Sequence, residues 1–445
     1  MENWQAIFAG TTFVVVIILI ATERVHLTIA AFLGALLLVA AKIMTLEEAT
    51  RYISRSYSTI CLLFGVMVMV RAFEPTKVFD YLAAQMVVIS KGKGSRLLLA
   101  IVGGTSLVYA VLPNATTVML LAPMIPPLAK FIGIDFVPLI ILMVVVSNSA
   151  GLLTLVGDPA TFIVGDAINI SFADYLMRLS IGGVISIAII VTVLPFLFKK
   201  IWNKNVEITE DIEIPAINHP RTLIIGGIIS LFVLILFVIG ESLPTPISPA
   251  AVALLGAGLA LFLSHHNHID SINNVLRDVD WSTLLFFMST FVLIGGLQKT
   301  GLITDASNVL SSVLGTNIAL GSIMILVIVA VTSSFIPNIP LVVAMVPMMK
   351  EYIVNVDLAP SGTLFNSFKG QFPDEVLPLF YAMMFGATLG GNATVIGASA
   401  NIVGAGISEI HGKPISFSKF AKYGVPITVL QILGAATFIT IRFLL

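Results

Sequence analysis

Four short stretches of this sequence carry residues that can handle an ion inside an otherwise apolar chain. Two are built on proline-asparagine pairs, Pro113-Asn114-Ala-Thr-Thr117 and Pro337-Asn338-Ile-Pro340. Two are built on glycine, Thr154-Leu-Val-Gly-Asp-Pro159 and Gly391-Asn-Ala-Thr-Val-Ile-Gly-Ala-Ser-Ala-Asn401. Asn and Thr side chains and freed backbone carbonyls are hard neutral oxygens, suited to a cation such as Na⁺. Proline cannot donate to a helix, and Asn or Thr caps the arm that starts there. The exposed helix N-terminus favours an anion, so a cation site and an anion site can share one loop. Asp158 is the one acid at a break. A carboxylate at membrane depth is costly and by default functional: it can ligate a cation, or take up and release a proton. A plain helix-capping role at an unwound turn is the competing reading.

The elements that must hold these stretches are membrane helices. The chain has 445 residues, of which 58% are hydrophobic and 11% charged, against about 25% charged in ordinary soluble domains. A bilayer core of about 30 Å asks for about 20 apolar residues per helix. Plain spans are expected near residues 6–22, 27–42, 58–73, 179–198, 223–240, 247–263, 282–298 and 424–443. The stretches 97–129 and 321–349 are too long for one span and are split by the Pro-Asn pairs. Those at 137–168 and 376–408 are interrupted by Gly157-Asp158-Pro159 and Gly397-Ala398-Ser399.

The breaks recur because the chain is duplicated. Tyr57-Ser-Thr-Ile-Cys-Leu-Leu-Phe aligns with Trp281-Ser-Thr-Leu-Leu-Phe-Phe-Met at an offset of 224, and the same offset pairs Asn114 with Asn338 and Pro123 with Pro347. A polar loop at 361–375 then shifts the register, so that Thr154-Leu-Val-Gly157 pairs with Thr394-Val-Ile-Gly397 at 240. Residues 1–205 and 221–445 thus read as two repeats joined by a linker at 206–220. If each Pro-Asn hairpin is re-entrant, each half crosses five times and the second is inverted, the plan of secondary transporters. The expected fold is therefore an all-α polytopic membrane protein with two inverted-topology repeats, each holding a re-entrant helical hairpin and a broken transmembrane helix.

Charge supplies orientation and exclusions. With the N-terminus outside, Lys and Arg divide 15 to 8 in favour of the inner loops. Net charge near zero leaves no footprint for nucleic acid. The lone Cys61 cannot form an intrachain disulfide or a thiolate metal cage. His265-His-Asn-His268 has the composition of a metal cluster but falls at a span end and reads as a solvated loop. Ser147, Asn148 and Ser149 are as well suited to gluing helices as to binding a ligand. No nucleophile-base pair suggests an enzyme, and no cofactor is expected beyond a coupling ion.

These motifs resemble the ion transporter superfamily, which includes the ArsB/NhaD permeases, the P permeases and the divalent anion/sodium symporters. The resemblance rests on the two glycine-centred motifs, and on Trp281-Ser-Thr-Leu-Leu-Phe-Phe followed by Gly295-Gly-Leu-Gln-Lys-Thr-Gly301. It implies a homodimer in which a scaffold holds a transport domain moving by an elevator-like shift. In the symporters the hairpin tips carry Ser-Asn-Thr and bind Na⁺ and a carboxylate. Here Asn is kept as Asn114 and Asn338, whereas proline stands before it in both copies, and Ala115 or Ile339 follows. P-permease and NhaD-like members often carry Asp before that Asn, so the departure leaves Asp158 as the main titratable candidate.

The expected activity is secondary transport of a small carboxylate or inorganic anion coupled to Na⁺ or H⁺. Na⁺/H⁺ antiport and arsenite or antimonite efflux are the alternatives. Asn114 and Asn338 are expected to ligate ion or substrate at the tips, and Thr116 and Thr117 to cap the first arm. Thr154, Gly157, Asp158, Asn392, Thr394, Gly397, Ser399 and Asn401 complete two symmetry-related pockets, with Na⁺ placed at Asn114, Gly157, Asp158, Asn338 and Gly397. The expected location is the cell (inner) membrane.

Overall fold

A computed structural model describes residues 3–22, 24–109, 114–205, 216–364, 368 and 370–445, of which side-chain placements at 87, 114–117, 128 and 131 are not described. Pro113 and residues 206–215 of the expected linker lie outside the described residues. The regular structure is helical, and its boundaries repeat. In the first half run α1 (Asn3–Ala21), α2 (Leu27–Ala40), α3 (Leu46–Arg55), α4 (Tyr57–Phe73), α5 (Val78–Ser90), α6 (Gly94–Tyr109), α7 (Asn114–Leu121) and α8 (Ile125–Phe131). They are followed by α9 (Val137–Ala150), α10 (Pro159–Ala167), α11 (Phe172–Arg178), α12 (Ser180–Leu197) and α13 (Lys199–Trp202). The second half holds α14 (Pro220–Ile239), α15 (Pro249–His266), α16 (Ile272–Arg277), α17 (Trp281–Lys299) and α18 (Leu302–Leu314). It closes with α19 (Ile318–Ser333), α20 (Asn338–Asn355), α21 (Leu377–Gly390), α22 (Ser399–Ile410) and α23 (Phe417–Ile439).

Helices α5 and α18 begin and end 224 residues apart, as do α6 and α19; α9 and α21 do so at 240. The eight expected plain spans are all helical, and among the described residues seven helices are long and apolar enough to cross a membrane. Two features differ from the sequence reading. Helices α5 and α18, 13 residues each, stand between the third span and the hairpin; they are too short to register as spans. The breaks are also wider than Gly157-Asp158-Pro159 and Gly397-Ala398-Ser399. Helix α9 stops at Ala150 and α21 at Gly390, and both chains resume only at Pro159 and Ser399. Hydrogen bonds spanning three residues, such as Leu153 N to Ala150 O and Ala393 N to Gly390 O, replace the helical ladder there.

Burial sorts the helices into layers. Every residue of α9 is buried, as is all of α21 after its first residue. By contrast α1 and α14 turn Ile18, Ile224, Ile228 and Leu231 outward, a face suited to lipid rather than water. The interrupted helices therefore sit at the centre. They pack tightly because Gly386 and Gly390, four residues apart on α21, let it approach α19: a Cβ on Gly386 would lie 2.8 Å from the Leu326 carbonyl oxygen. Close approach through small residues is how membrane helices gain contact without a hydrophobic drive.

Around this centre the halves interlock. Helix α4 lies along α15, and the equivalent pair α17 and α2 does the same. Helices α4 and α17 each carry one cation that fastens a surface segment of the other half. Arg71 on α4 donates to Asp278 at 2.6 Å and Asp270 at 3.2 Å. Lys299 on α17 donates to Glu48 of α3 at 2.6 Å, and Glu48 also accepts from the Thr45 N–H that opens α3. The Lys299 ammonium, with the Thr45 N–H, holds the Glu48 carboxyl below the usual carboxylate range. This staple is therefore complete above about pH 4.3, the unfolded glutamate value, and is lost as pH falls through the lowered folded value. Lys299→Met should lower Tm at pH 7, and the gap to the parent should close on acidification below that value; a gap independent of pH would contradict the pairing.

Candidate functional site

The two breaks have the same backbone construction. In each, a glycine closes a turn onto a threonine, Gly157 N to Thr154 O and Gly397 N to Thr394 O, both at 3.4 Å. Each glycine also lies against the start of its own break and the end of the hairpin's incoming helix. A Cβ on Gly157 would meet Gly151 O at 3.0 Å and Tyr109 O at 3.1 Å; on Gly397 it would meet Gly391 O at 2.7 Å and Ser333 O at 2.9 Å. Tyr109 and Ser333 are themselves 224 residues apart. The glycines thus serve to bring three backbone segments together at each break.

What fills the two pockets differs. At the first, Asp158 is buried at the N-terminus of α10, where its Oδ2 accepts from Thr161 N at 3.3 Å. The same oxygen accepts from Thr388 Oγ1 of α21 at 3.2 Å, and the Asn338 amide at the start of α20 also faces this carboxylate. Elements of both halves therefore converge on one acid. At the second break the equivalent of Asp158 is Ala398, which caps nothing with its side chain. An amide network takes over. Asn148 Nδ2 donates to Asn392 Oδ1 at 3.0 Å and Asn401 Oδ1 at 2.9 Å. Asn392 Nδ2 donates to Gln431 Oε1 at 2.9 Å and to Ser149 Oγ at 3.0 Å. Asn401 Nδ2 returns to the Gly391 and Thr394 carbonyls at 2.7 and 2.8 Å, and Thr394 donates to the Ser334 carbonyl.

The expected site residues divide accordingly. Asp158 and Asn338 meet; Asn392, Thr394, Gly397 and Asn401 belong to the amide-bound break. Thr154 sits half-buried in the first break, and Ser399 opens α22 beside a cavity. Asn114, Thr116 and Thr117 lie in the first turn of α7, and their side chains lie outside the described residues. Sequence reading missed Thr388, Gln431 and Thr161. Thr388 carried a signal, since it stands 240 residues after Asn148. Asn148 and Ser149 hydrogen-bond side chains of the second break and of α23, whereas Ser147 bonds back to Val144 O within its own helix.

Two cavities reach toward the breaks from opposite ends of α4 and α17. The larger, about 740 Å³, is lined by Met67, Val70, Asp280, Thr283, Met119 and Val403 among others. The smaller, about 260 Å³, is lined by Phe291, Ile294, Ser56, Thr59, Val343 and Ile163. Taken in that order, the first five residues of each set are 224 apart and the last pair 240. The same wall positions, swapped between halves, thus form a wide cavity at one end and a narrow one at the other.

A helical bundle with paired breaks at its centre and a cavity at each end is an integral multi-pass membrane transporter. Its sequence matches the citrate transporter family over residues 17–365, and the chain belongs to that family. An uncharacterized transporter of Synechocystis sp. is 60% identical over 99% of this chain and 98% of its own length. The P protein of Homo sapiens is 28% identical over 96% of this chain, which spans 58% of that protein. The fold resembles the crystal structure of the YdaH transporter of Alcanivorax borkumensis, with a TM-score of 0.61 and 9% identity, covering 88% of this chain and 86% of that one.

The backbone contacts at Gly397 set a direct test. Gly397→Ala puts a methyl within 3 Å of backbone atoms on two segments and should cost about 2 kcal/mol or more through forced backbone shifts. Gly406→Ala, in the same region with open space around it, should be neutral or slightly stabilising. Equal thermal-unfolding midpoints for the two variants would refute the close-packed break.

Proposed function

We propose that this chain is a secondary active transporter of a small carboxylate of the citrate type, coupled to Na⁺ or H⁺ through Asp158. The observation that carries the reading is the convergence of Thr161, Thr388 and Asn338 on that buried carboxylate. A buried carboxylate that gathers hydrogen-bond donors from both halves is a suitable ligand for a cation or acceptor for a proton. The family description supports a carboxylate as the substrate class. An anion would be held by the helix N-termini and hydroxyls of the breaks and by the bound cation, with Asn114 and Asn338 at the tips.

The paired cavities support alternating access by two inverted repeats. In the state described here the wider cavity lies at the C-terminal end of α4, the inner side in the charge-based orientation. An elevator-like shift in a homodimer would exchange the two cavity sizes.

Citrate uptake into proteoliposomes under separately imposed Na⁺ and pH gradients tests the proposal. Asp158→Asn should lower gradient-driven uptake roughly 10- to 100-fold, the scale of losing a charged hydrogen-bonding ligand. Normal coupled uptake by that variant would remove the role given to Asp158. A Na⁺-dependent pH change inside vesicles without any carboxylate would favour antiport instead.

A further inference from the structure

The charge left over after the staples and the breaks is concentrated at one end of the bundle. Lys91 and Lys93 lead into α6, and Arg96 lies in its first turn. The segment after α13 is bound to them: Lys93 and Asn205 form an antiparallel bridge, and Gly94 N donates to Lys204 O at 2.8 Å. Lys204 Nζ reaches the Gly133 carbonyl at 3.2 Å, three residues beyond Lys130 at the end of α8. Lys199 and Lys200 form the first turn of α13. Three chain segments therefore bring seven exposed cations to one face, and none of the seven is in an ion pair with an acid among the described residues. Asp135, a nearby acid, is engaged with Lys413 at 3.0 Å and Lys419 at 3.7 Å.

The surface beside these cations is apolar. Phe196, one turn before α13, is 79% exposed, and Leu99, one turn into α6 from Arg96, is 41% exposed. Trp202 is half-buried on α13 itself, the amphipathic ring type that settles at headgroup level. A cluster of cations directly above outward-facing apolar side chains matches a phosphate carried on acyl chains. We propose that this face binds the headgroup of an anionic phospholipid, with Lys91, Lys93, Arg96, Lys199, Lys200 and Lys204 around the phosphate and the acyl chains along Leu99 and Phe196. Basic pockets between helix ends on the inner side are where such headgroups are held, and the charge tally places this face there.

Thermal unfolding of the purified full-length chain in neutral detergent tests the site, with phosphatidylglycerol, phosphatidylcholine or inorganic phosphate added. Phosphatidylglycerol should raise Tm above the phosphatidylcholine value, and the increment should shrink with added NaCl. The triple variants Lys91→Gln/Lys93→Gln/Arg96→Gln and Lys199→Gln/Lys200→Gln/Lys204→Gln should each weaken the phosphatidylglycerol response about tenfold or more in midpoint concentration. Lys→Arg at the five lysines should preserve it, as should Arg51→Gln/Arg55→Gln at the opposite end. An unchanged response in both triple variants overturns the assignment, as does an equal response to phosphatidylcholine. Inorganic phosphate giving the same increment would make this a free-anion site and overturn the lipid. A response that appears only after Glu207, Glu210, Asp211 and Glu213 are changed to Gln would mean that the chain's own acidic run occupies the face, and would also overturn it.

Discussion

Backbone N–H and C=O groups left without partners at membrane depth cost several kcal/mol each, and this chain opens its backbone there on purpose, at 151–158 and 391–398. The rest of the architecture answers that cost. The helices bearing the breaks are the most deeply buried, so lipid never meets the irregular segments. Gly157 and Gly397 fold each break onto the hairpin end that must accompany it. Asn401 spends both amide hydrogens on carbonyls of its own break, and Thr394 and Ser334 satisfy two more. Backbone turn bonds and side-chain donors together take over part of the missing helical ladder.

The two breaks share one backbone construction but differ in the side chains at matching positions. Asp158, Thr161 and Thr388 occupy positions equivalent to Ala398, Asn401 and Asn148. The first set surrounds a carboxylate with hydrogen-bond donors. At the second break, the Asn148 amide nitrogen donates to Asn392 and Asn401, while its own Oδ1 is buried without a hydrogen-bond partner among the described residues. The two breaks thus share turn geometry and glycine contacts but present different side chains, a carboxylate at one and amides at the other. The staples follow the same logic: Arg71 and Lys299 are not at equivalent positions, yet each fastens a surface segment of the opposite half to a central helix.

Much of this was legible in the sequence. Apolar runs of bilayer length located the plain spans, and an ungapped offset of 224 located the repeat, because both depend on one-dimensional periodicity. The breaks were visible as Gly, Pro and Asn in apolar surroundings. The partners were not. Thr388 lies in Phe-Gly-Ala-Thr-Leu-Gly and Gln431 in a helix that otherwise reads as an ordinary span; nothing local distinguishes a hydroxyl that meets a carboxylate 230 residues away from one that bonds back to its own helix. Helices α5 and α18 escaped because 13 residues give too little apolar length. The breaks proved wider than the Gly-Asp-Pro signal because their first half is closed by turn hydrogen bonds that any residue can make.

The amide network also runs between the two halves. Asn148 of the first half donates to Asn392 and Asn401 of the second. In a symmetric pair built from two first halves, the residues at those two places would be Leu152 and Thr161. One offers no acceptor and the other a short hydroxyl, so the buried amide would lose its paired acceptors. The two halves are therefore joined at this seam by side chains as well as by the peptide chain.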